Sequence, residues 1–304
     1  MPVALASIAN LLFPGLREVT GKYQQIEKQY DKIFDYMKSE MAIERTVEAR
    51  YLGLAALKGE GQATTFDNNA GQRFTYNQEH NEIALGYAIT RKAIADNLYK
   101  TQFQPSNLGL QQSFLQTKEI YGANILNTGN VYNTAVGGDG VALFSTAHPV
   151  DGSTYANTPT VQADLNEGTL LNAMIGIRRN FVDQANLKMH ARARKLVIPP
   201  ELEPVAIRLL QTELRPGTAN NDVNAIRSTA GGLPEGYIVN DFLTSAFAWY
   251  LLTNIKGLAY MEREAFEMDL QVEFLTDNLL VKAYERYSFG AYNARSSYAS
   301  FPTS

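Results

Sequence analysis

The hydrophobic positions near the start of the chain follow a helical period. Between residues 17 and 39 the spacing of apolar side chains alternates between four and three, at Val19, Tyr23, Ile26, Tyr30, Ile33 and Met37. This spacing predicts one helix over 17–39, with the six side chains on a single stripe. The stripe has two interpretations: it packs on its own domain, or it forms an arm laid across a neighbouring subunit.

Between residues 50 and 90 the pattern changes from a helical period to alternation. Ile83, Leu85, Tyr87 and Ile89 alternate with small residues, which is typical of a β-strand. They follow a stretch at 58–71 that is rich in glycine and polar residues. We therefore predict a long two-stranded hairpin with a flexible tip. An isolated hairpin is marginally stable in water, so we expect it to lie on another surface, such as a second chain.

Beyond the hairpin, helical and strand patterns follow one another. Pro105 and Ser106 read as a helix breaker and an N-cap, and an apolar stripe then predicts a long helix over 106–128. A polar loop at 215–232 is longer than compact domains normally carry without a function. The same criteria predict helices over 166–183 and after 199–200, and strands at 195–198, 237–239, 247–252, 266–274 and 279–292.

The amino-acid composition excludes several classes of site and partner. The chain has 304 residues, of which 45% are hydrophobic, so it can bury a core. It has no cysteine, which excludes disulfides, thiolate zinc sites and cysteine nucleophiles. A net charge of −4 is the wrong sign for a protein that grips nucleic acid along much of its surface. The first apolar run, at 3–13, is too short to span a bilayer, so we expect no membrane association.

The sequence offers little catalytic chemistry. Its three histidines show no metal spacing, and we predict neither a metal nor a cofactor. Ser145 and His148 are close in sequence but lack the G-x-S-x-G elbow and an evident orienting carboxylate, so a Ser/His hydrolase is only the last alternative. The Asx-rich stretches 67–69 and 220–222 are interpreted as turns. Alternating basic residues at 188–195 form either a solvated strand face or a phosphate contact, the former being preferred.

Three segments resemble a known family. They are Gly-Asp-Gly-Val-Ala-Leu-Phe-Ser-Thr-Ala-His-Pro at 138–149, Pro-Gly-Thr-Ala-Asn-Asn-Asp-Val-Asn at 216–224 and Ala-Tyr-Glu-Arg-Tyr-Ser-Phe-Gly at 283–290. Their order and spacing resemble tailed-phage major capsid proteins, in particular the Mu-like major head subunit group, over about residues 40–295. The resemblance implies an α+β structure with the Hong Kong 97-type capsid fold.

That fold would divide the chain into named parts. It implies an N-terminal arm at 1–45, an extended E-loop hairpin at 46–90, a peripheral domain with a long spine helix and antiparallel sheet at 91–141 and 263–295, an axial α/β domain at 142–262, and a C-terminal tail at 296–304. The predicted subunit contacts are Val19, Tyr23, Ile26 and Tyr30 on the arm, Lys58, Phe66, Phe74 and Tyr76 on the E-loop, and Asn220, Asn221 and Asp222 near the capsomer centre.

The resemblance implies a structural function and no enzyme activity. The chain would self-assemble through hexamers and pentamers into the icosahedral shell that encloses a phage genome, as part of the virion assembled in the bacterial cytoplasm. Expected partners are further copies of the chain, a portal protein and packaged double-stranded DNA in weak inner-surface contact. Few residues precede the arm, so a separate scaffolding protein is expected. Lys58 is the only lysine between Arg45 and Arg91, and with no identified acceptor we expect no covalent cross-link. A tail or decoration subunit remains the main alternative.

Overall fold

The computed structural model describes residues 27–95, 99–133, 136–212, 224–228 and 232–303, and it combines helices with four small sheets. The strands are β1 (Asp35–Lys38), β2 (Ile43–Arg50), β3 (Gly71–Glu79), β4 (Asn81–Ile89), β5 (His148–Val150), β6 (Ser153–Tyr155), β7 (Ala193–Ile198), β8 (Tyr237–Val239), β9 (Trp249–Thr253), β10 (Leu258–Val272), β11 (Leu279–Ala291) and β12 (Ser297–Ser300). The helices are α1 (Arg91–Ala95), α2 (Tyr99–Asn127), α3 (Glu167–Asn180), α4 (Glu203–Leu210) and α5 (Ala225–Ser228). Within these ranges no helix is both long and apolar enough to cross a bilayer.

The first sheet has the strand order β1-β10-β11-β4. Its centre is the antiparallel pair β10 and β11, joined by a turn in which Asp277 has a positive φ of 55°. Along β10 the side chains from Phe266 onwards alternate between half-buried and exposed, as the sequence predicted. Helix α2 lies on the half-buried face, where the Phe114 and Phe266 rings meet edge to face at 5.2 Å. Apolar alternation on one face thus lets α2 cover the sheet.

Helix α2 begins earlier than predicted. It runs without a break from residue 99 to 127, so Pro105 lies inside its early turns instead of marking its start. Pro105 is the seventh residue of α2, beyond the first four amides that have no intrahelical acceptor, so its missing N–H removes one hydrogen bond from the helix. The prediction of a long helix is correct, and its start is wrong by seven residues, from 106 to 99.

The second sheet has the order β12-β9-β7-β8 and packs against α3 and α4. Asn166 caps α3 by accepting a hydrogen bond from the Thr169 amide at 2.9 Å, while the Thr169 hydroxyl accepts from the Asn166 amide. This reciprocal capping box explains why the helix begins where the sequence predicted. Ile177 of α3 and Leu196 of β7 are fully buried in the same core.

A cluster of buried aromatic residues lies between the two sheets and contacts both of them. The Tyr260 and Phe289 rings lie 4.9 Å apart, and the Phe34 and Phe289 rings lie 5.0 Å apart. Phe144 and Tyr250, 5.8 Å apart, belong to the same cluster on the side of the second sheet. Because buried rings of this size dominate core energetics, the cluster makes the two sheets one folded unit.

The predicted helix over 17–39 is wrong in the part that the structure describes. Residues Tyr30–Lys32 form a single 3-10 turn, and β1 follows, pairing in parallel with β10 from Asp35 opposite Ala259. The side chains of Tyr30 and Ile33 insert into the aromatic core, where they are 2% and 6% exposed to solvent. This burial, and not a helical stripe, accounts for their apolar character. Val19, Tyr23 and Ile26 lie outside the described residues.

Three predicted boundaries also cut across elements of the structure. Residues 81–89, assigned to the E-loop from sequence, form β4 and pair along their length with β11. The predicted C-terminal tail at 296–304 contains β12, which pairs with β9 and is buried throughout. Strand β10 begins at Leu258, so the predicted boundary at residue 262/263 cuts through it.

Candidate subunit interface

A two-stranded ribbon leaves the body of the chain between β1 and β4. Strands β2 and β3 pair in antiparallel register from Ile43 opposite Glu79 to Arg50 opposite Gly71. The connecting segment, residues 51–70, contains neither helix nor strand, and all of its residues except Gly53 and Asp67 are exposed. We call residues 43–79 the ribbon and residues 54–66 its tip.

Asp67 closes the neck of the tip, which is the place where residues 50–53 and 67–69 come together. Its carboxylate accepts hydrogen bonds from the amides of Gly53 at 2.7 Å and Asn69 at 2.9 Å, and it pairs with the Arg50 guanidinium at 3.2 Å. The Asn69 and Gly53 amides, followed by Arg50, hold the pKa of Asp67 below its usual value. The ionised carboxylate therefore joins the two sides of the loop.

Two ion pairs anchor the end of β2 that lies next to the 51–70 loop. Glu48 of β2 pairs with Arg295, whose side chain is 2% exposed and lies over the Tyr155 ring at 4.5 Å. Arg50 Nε donates to Asp151 at 2.9 Å. These bonds fix where the 51–70 loop leaves the body, because they join the last residues of β2 to Asp151 and Arg295.

The tip presents apolar side chains to solvent. Leu54 is 85% exposed, Leu57 is at the fully exposed limit and Phe66 is 83% exposed. The flanking Tyr51 and Leu52 are also exposed. Exposed apolar patches on soluble proteins mark interaction sites when they are contiguous, and here they share one short loop.

The predicted contact residues have different outcomes. Lys58 and Phe66 lie on the exposed tip, and Phe74 is half-buried beneath the Arg73 guanidinium at 5.4 Å. Tyr30 and Tyr76 are each 2% exposed within their own chain, so their side chains pack on their own core. Gly138 lies so close to the Tyr76 ring that a Cβ there would collide with it. Asn220, Asn221 and Asp222 lie outside the described residues.

Sequence reasoning overlooked Leu54 and Leu57. The signal was the apolar run Tyr-Leu-Gly-Leu-Ala-Ala-Leu at 51–57, which has neither helical nor strand spacing. An apolar run that fits no element is a candidate for a surface that becomes buried only in an assembly.

The Ser145 and His148 pair does not form a nucleophile site. The buried His148 ring has Nδ1 2.6 Å from Asp139 Oδ2 and Nε2 3.0 Å from Asn157 Oδ1. Asp139 is thus the orienting carboxylate that the sequence did not reveal. Since Asn157 donates its amide hydrogens to two carbonyls, its Oδ1 must accept from His148. Both imidazole nitrogens are engaged, so neither is positioned to take a proton from Ser145.

No other feature of the described ranges suggests a reaction centre. Among those residues, no three His, Asp or Glu side chains come together in a way that would hold a metal ion. The His148, Asp139 and Asn157 group instead ties the turn before β5 to the carbonyl of Ala294, next to β12. Its geometry is that of a buried polar clamp within the fold.

Comparison with known proteins identifies the family. Residues 79–300 match the profile of a family described as phage capsid protein. The chain belongs to the phage capsid protein family. The match covers the second sheet, α2, α3 and the first sheet except β1, and the prediction of a major capsid protein is confirmed. This capsid protein is therefore a virion component with a structural role. The ribbon, up to residue 78, precedes the matched range.

Solved structures show the same mixed helix and sheet fold. The virus-like particle of Pyrococcus furiosus aligns with a TM-score of 0.55 at 10% identity, covering 95% of this chain and 99% of that one. The capsid of an empty GTA particle gives 0.55 at 10% identity, covering 90% of each chain. The mature capsid of bacteriophage PhiM1 gives 0.55 at 10% identity, covering 90% of this chain and 86% of that one.

Two further comparisons gave a weaker structural match and no match. The bacteriophage JBD30 capsid has a TM-score of 0.49 at 12% identity, and this capsid protein spans 65% of that chain. Comparison with the curated proteins gives no significant match.

Proposed function

We propose that this capsid protein is the major head subunit of a tailed phage, with the Hong Kong 97-type fold of the Mu-like group. In this proposal the subunits form hexamers and pentamers that close into an icosahedral shell around the genome. The proposal includes a separate scaffolding protein, a portal protein, assembly in the bacterial cytoplasm and no enzymatic step.

The proposal assigns the elements of the structure to the parts of that fold. The ribbon is the E-loop, α2 is the spine helix, and the first sheet with α2 is the peripheral domain. The second sheet with α3 and α4 is the axial domain. In a shell, two different faces of each subunit meet, and such heterologous contacts close into rings when the rotation allows.

The exposed apolar tip is the observation that carries the proposal. Burying a Leu or Phe side chain contributes roughly 1.5 to 3 kcal/mol, and the three most exposed tip residues make no such contact within their own chain. Laid on a neighbour, the tip would bury them. Each subunit would give one ribbon and receive another, so the contacts of the shell reinforce one another.

Replacing the apolar tip tests this assignment. In the variant Leu54→Ser, Leu57→Ser and Phe66→Ser we expect an unchanged monomer fold but assembly only at concentrations more than about tenfold higher. Size-exclusion chromatography with negative-stain microscopy measures the capsomer and shell fractions.

A matched control replaces polar residues of the same loop. Gln62→Ser, Thr64→Ser and Thr65→Ser should assemble as the unmodified chain does, since these side chains are exposed and polar. Equal assembly of the apolar and polar variants would contradict the role of the tip.

A further inference from the structure

A cleft in the second half of the chain is lined by arginines. The larger part, with a volume of about 700 Å³, includes Arg192, Arg194 and Arg227. An adjoining cavity of about 170 Å³ lies between α3 and β7 and includes Arg178 and again Arg192. Among the described residues that line the two cavities, the carboxylate is that of Glu235. We call this the basic cleft.

Glu235 does not neutralise the basic cleft. It pairs with Arg194 and, at 3.1 Å, with Lys195, so two cations already share its charge. Arg178 and Arg192 are exposed, and neither forms an ion pair with any residue that the structure describes. The cleft is therefore positive in a chain whose net charge is −4.

The positive charge continues beyond the basic cleft as a row. Lys188, His190, Arg192 and Arg194 are exposed, while Ala191 and Ala193 between them are buried in the core. Alternation of this kind points every second side chain to solvent. The backbone of the row is held by Asn254, which exchanges hydrogen bonds with the Arg192 amide and the His190 carbonyl. These hydrogen bonds hold the backbone of the row, whose alternate basic side chains are exposed to solvent.

We propose that the basic cleft and its row contact the phosphate backbone of the packaged double-stranded DNA. This rests on the proposed function, because it requires a shell that encloses a genome. Guanidinium groups present paired donors that match phosphate oxygens, and a line of cations follows a line of phosphates.

The test is DNA binding by the full-length chain and a charge-removing variant. A short labelled duplex is titrated by fluorescence anisotropy between about 50 and 200 mM salt. In Arg178→Gln, Arg192→Gln we expect binding at least roughly tenfold weaker at the low-salt end, and a slope of log K against log salt that is shallower by about 2. The variant Arg178→Lys, Arg192→Lys keeps the charge and should keep the slope.

The control removes two exposed cations elsewhere. Arg179 follows Arg178 on α3 and lines neither cavity, and Lys92 lies on α1. Arg179→Gln, Lys92→Gln should bind DNA with the unmodified slope. Equal slopes for the two glutamine variants, or no DNA binding by the unmodified chain, would overturn the proposal.

Imaging of the same samples separates this inference from the proposed function. If the cleft variant forms shells but has lost DNA affinity, both proposals are supported. If it binds DNA normally but forms no shells, the cleft is a subunit contact and the DNA proposal is wrong. If the unmodified chain forms no capsomers or shells, the proposed function fails whatever the DNA affinity.

Discussion

At the residue scale, the most unusual group is a buried lysine in an aromatic surround. Lys118 of α2 pairs with Glu285 of β11 at 2.7 Å, with exposures of 5% and 1%. The ammonium also lies 5.0 Å from the centre of the Tyr287 ring and 5.5 Å from that of Tyr260. Burial raises the pKa of Glu285, and Lys118 offsets part of that rise. The pair joins the long helix to the first sheet at one point.

Removing the lysine should destabilise the fold. Breaking a buried pair leaves the other charge uncompensated, which costs about 3–5 kcal/mol of unfolding free energy. We expect this for Lys118→Met in urea denaturation. The control Lys282→Met removes an exposed partner of Asp269, 3.6 Å away, and should cost at most about 1 kcal/mol. Similar small losses for both variants would contradict a stabilising role for the buried pair.

The same variant should show a pH dependence of known sign. The folded-state pKa of Glu285 is raised, so the folded state retains this proton more readily, and stability falls as pH rises from the usual glutamate value through the raised one. Without the ammonium the neutral carboxyl is tolerated better than the carboxylate. Lys118→Met should therefore lose more unfolding free energy at neutral pH than near the usual glutamate pKa, and the reverse order would contradict this explanation.

At the element scale, local patterns predicted some elements and missed those set by distant contacts. The strands β10 and β11 and the helix α3 were predictable, because alternation and a capping box lie within each segment. The error over 17–39 arose because Tyr30 and Ile33 are apolar for a non-local reason, the aromatic core beside β10. Strand β4 was recognised, but its partner β11 lies about 200 residues away and cannot be read from alternation. The ribbon was predicted in outline, and its exposed leucines were not.

The neck of the tip provides a test at this scale. Asp67→Asn removes the charge that holds the Gly53 and Asn69 amides, so hydrogen exchange at those amides should become several-fold faster at neutral pH. Glu60→Gln, at an exposed position of the same loop, is the matched control. Because the pKa of Asp67 is lowered, its contribution is present above the usual aspartate pKa and is lost as pH falls through the lowered value.

Unchanged exchange in Asp67→Asn would mean that the neck is held by other contacts. Faster hydrogen exchange in both Asp67→Asn and Glu60→Gln would mean that the negative charge of the loop protects these amides, and that the two hydrogen bonds to Asp67 do not.

At the scale of the whole molecule, a folded body carries an exposed loop at 51–70. The two sheets share one aromatic core, and two ion pairs hold the end of β2 from which that loop leaves. The apolar side chains of the tip are exposed to solvent, and the basic cleft is formed by the second half of the chain. A body with one projecting apolar element and one separate charged face suits a repeated, directional contact between copies, which a shell requires.

The most direct test is a cryo-electron microscopy reconstruction of particles assembled from the unmodified chain. We expect closed shells in which residues 54–66 of each subunit lie against a neighbouring subunit, with Leu54, Leu57 and Phe66 buried there. Shells in which the tip stays in solvent, or a chain that remains monomeric at every ionic strength, would contradict the account.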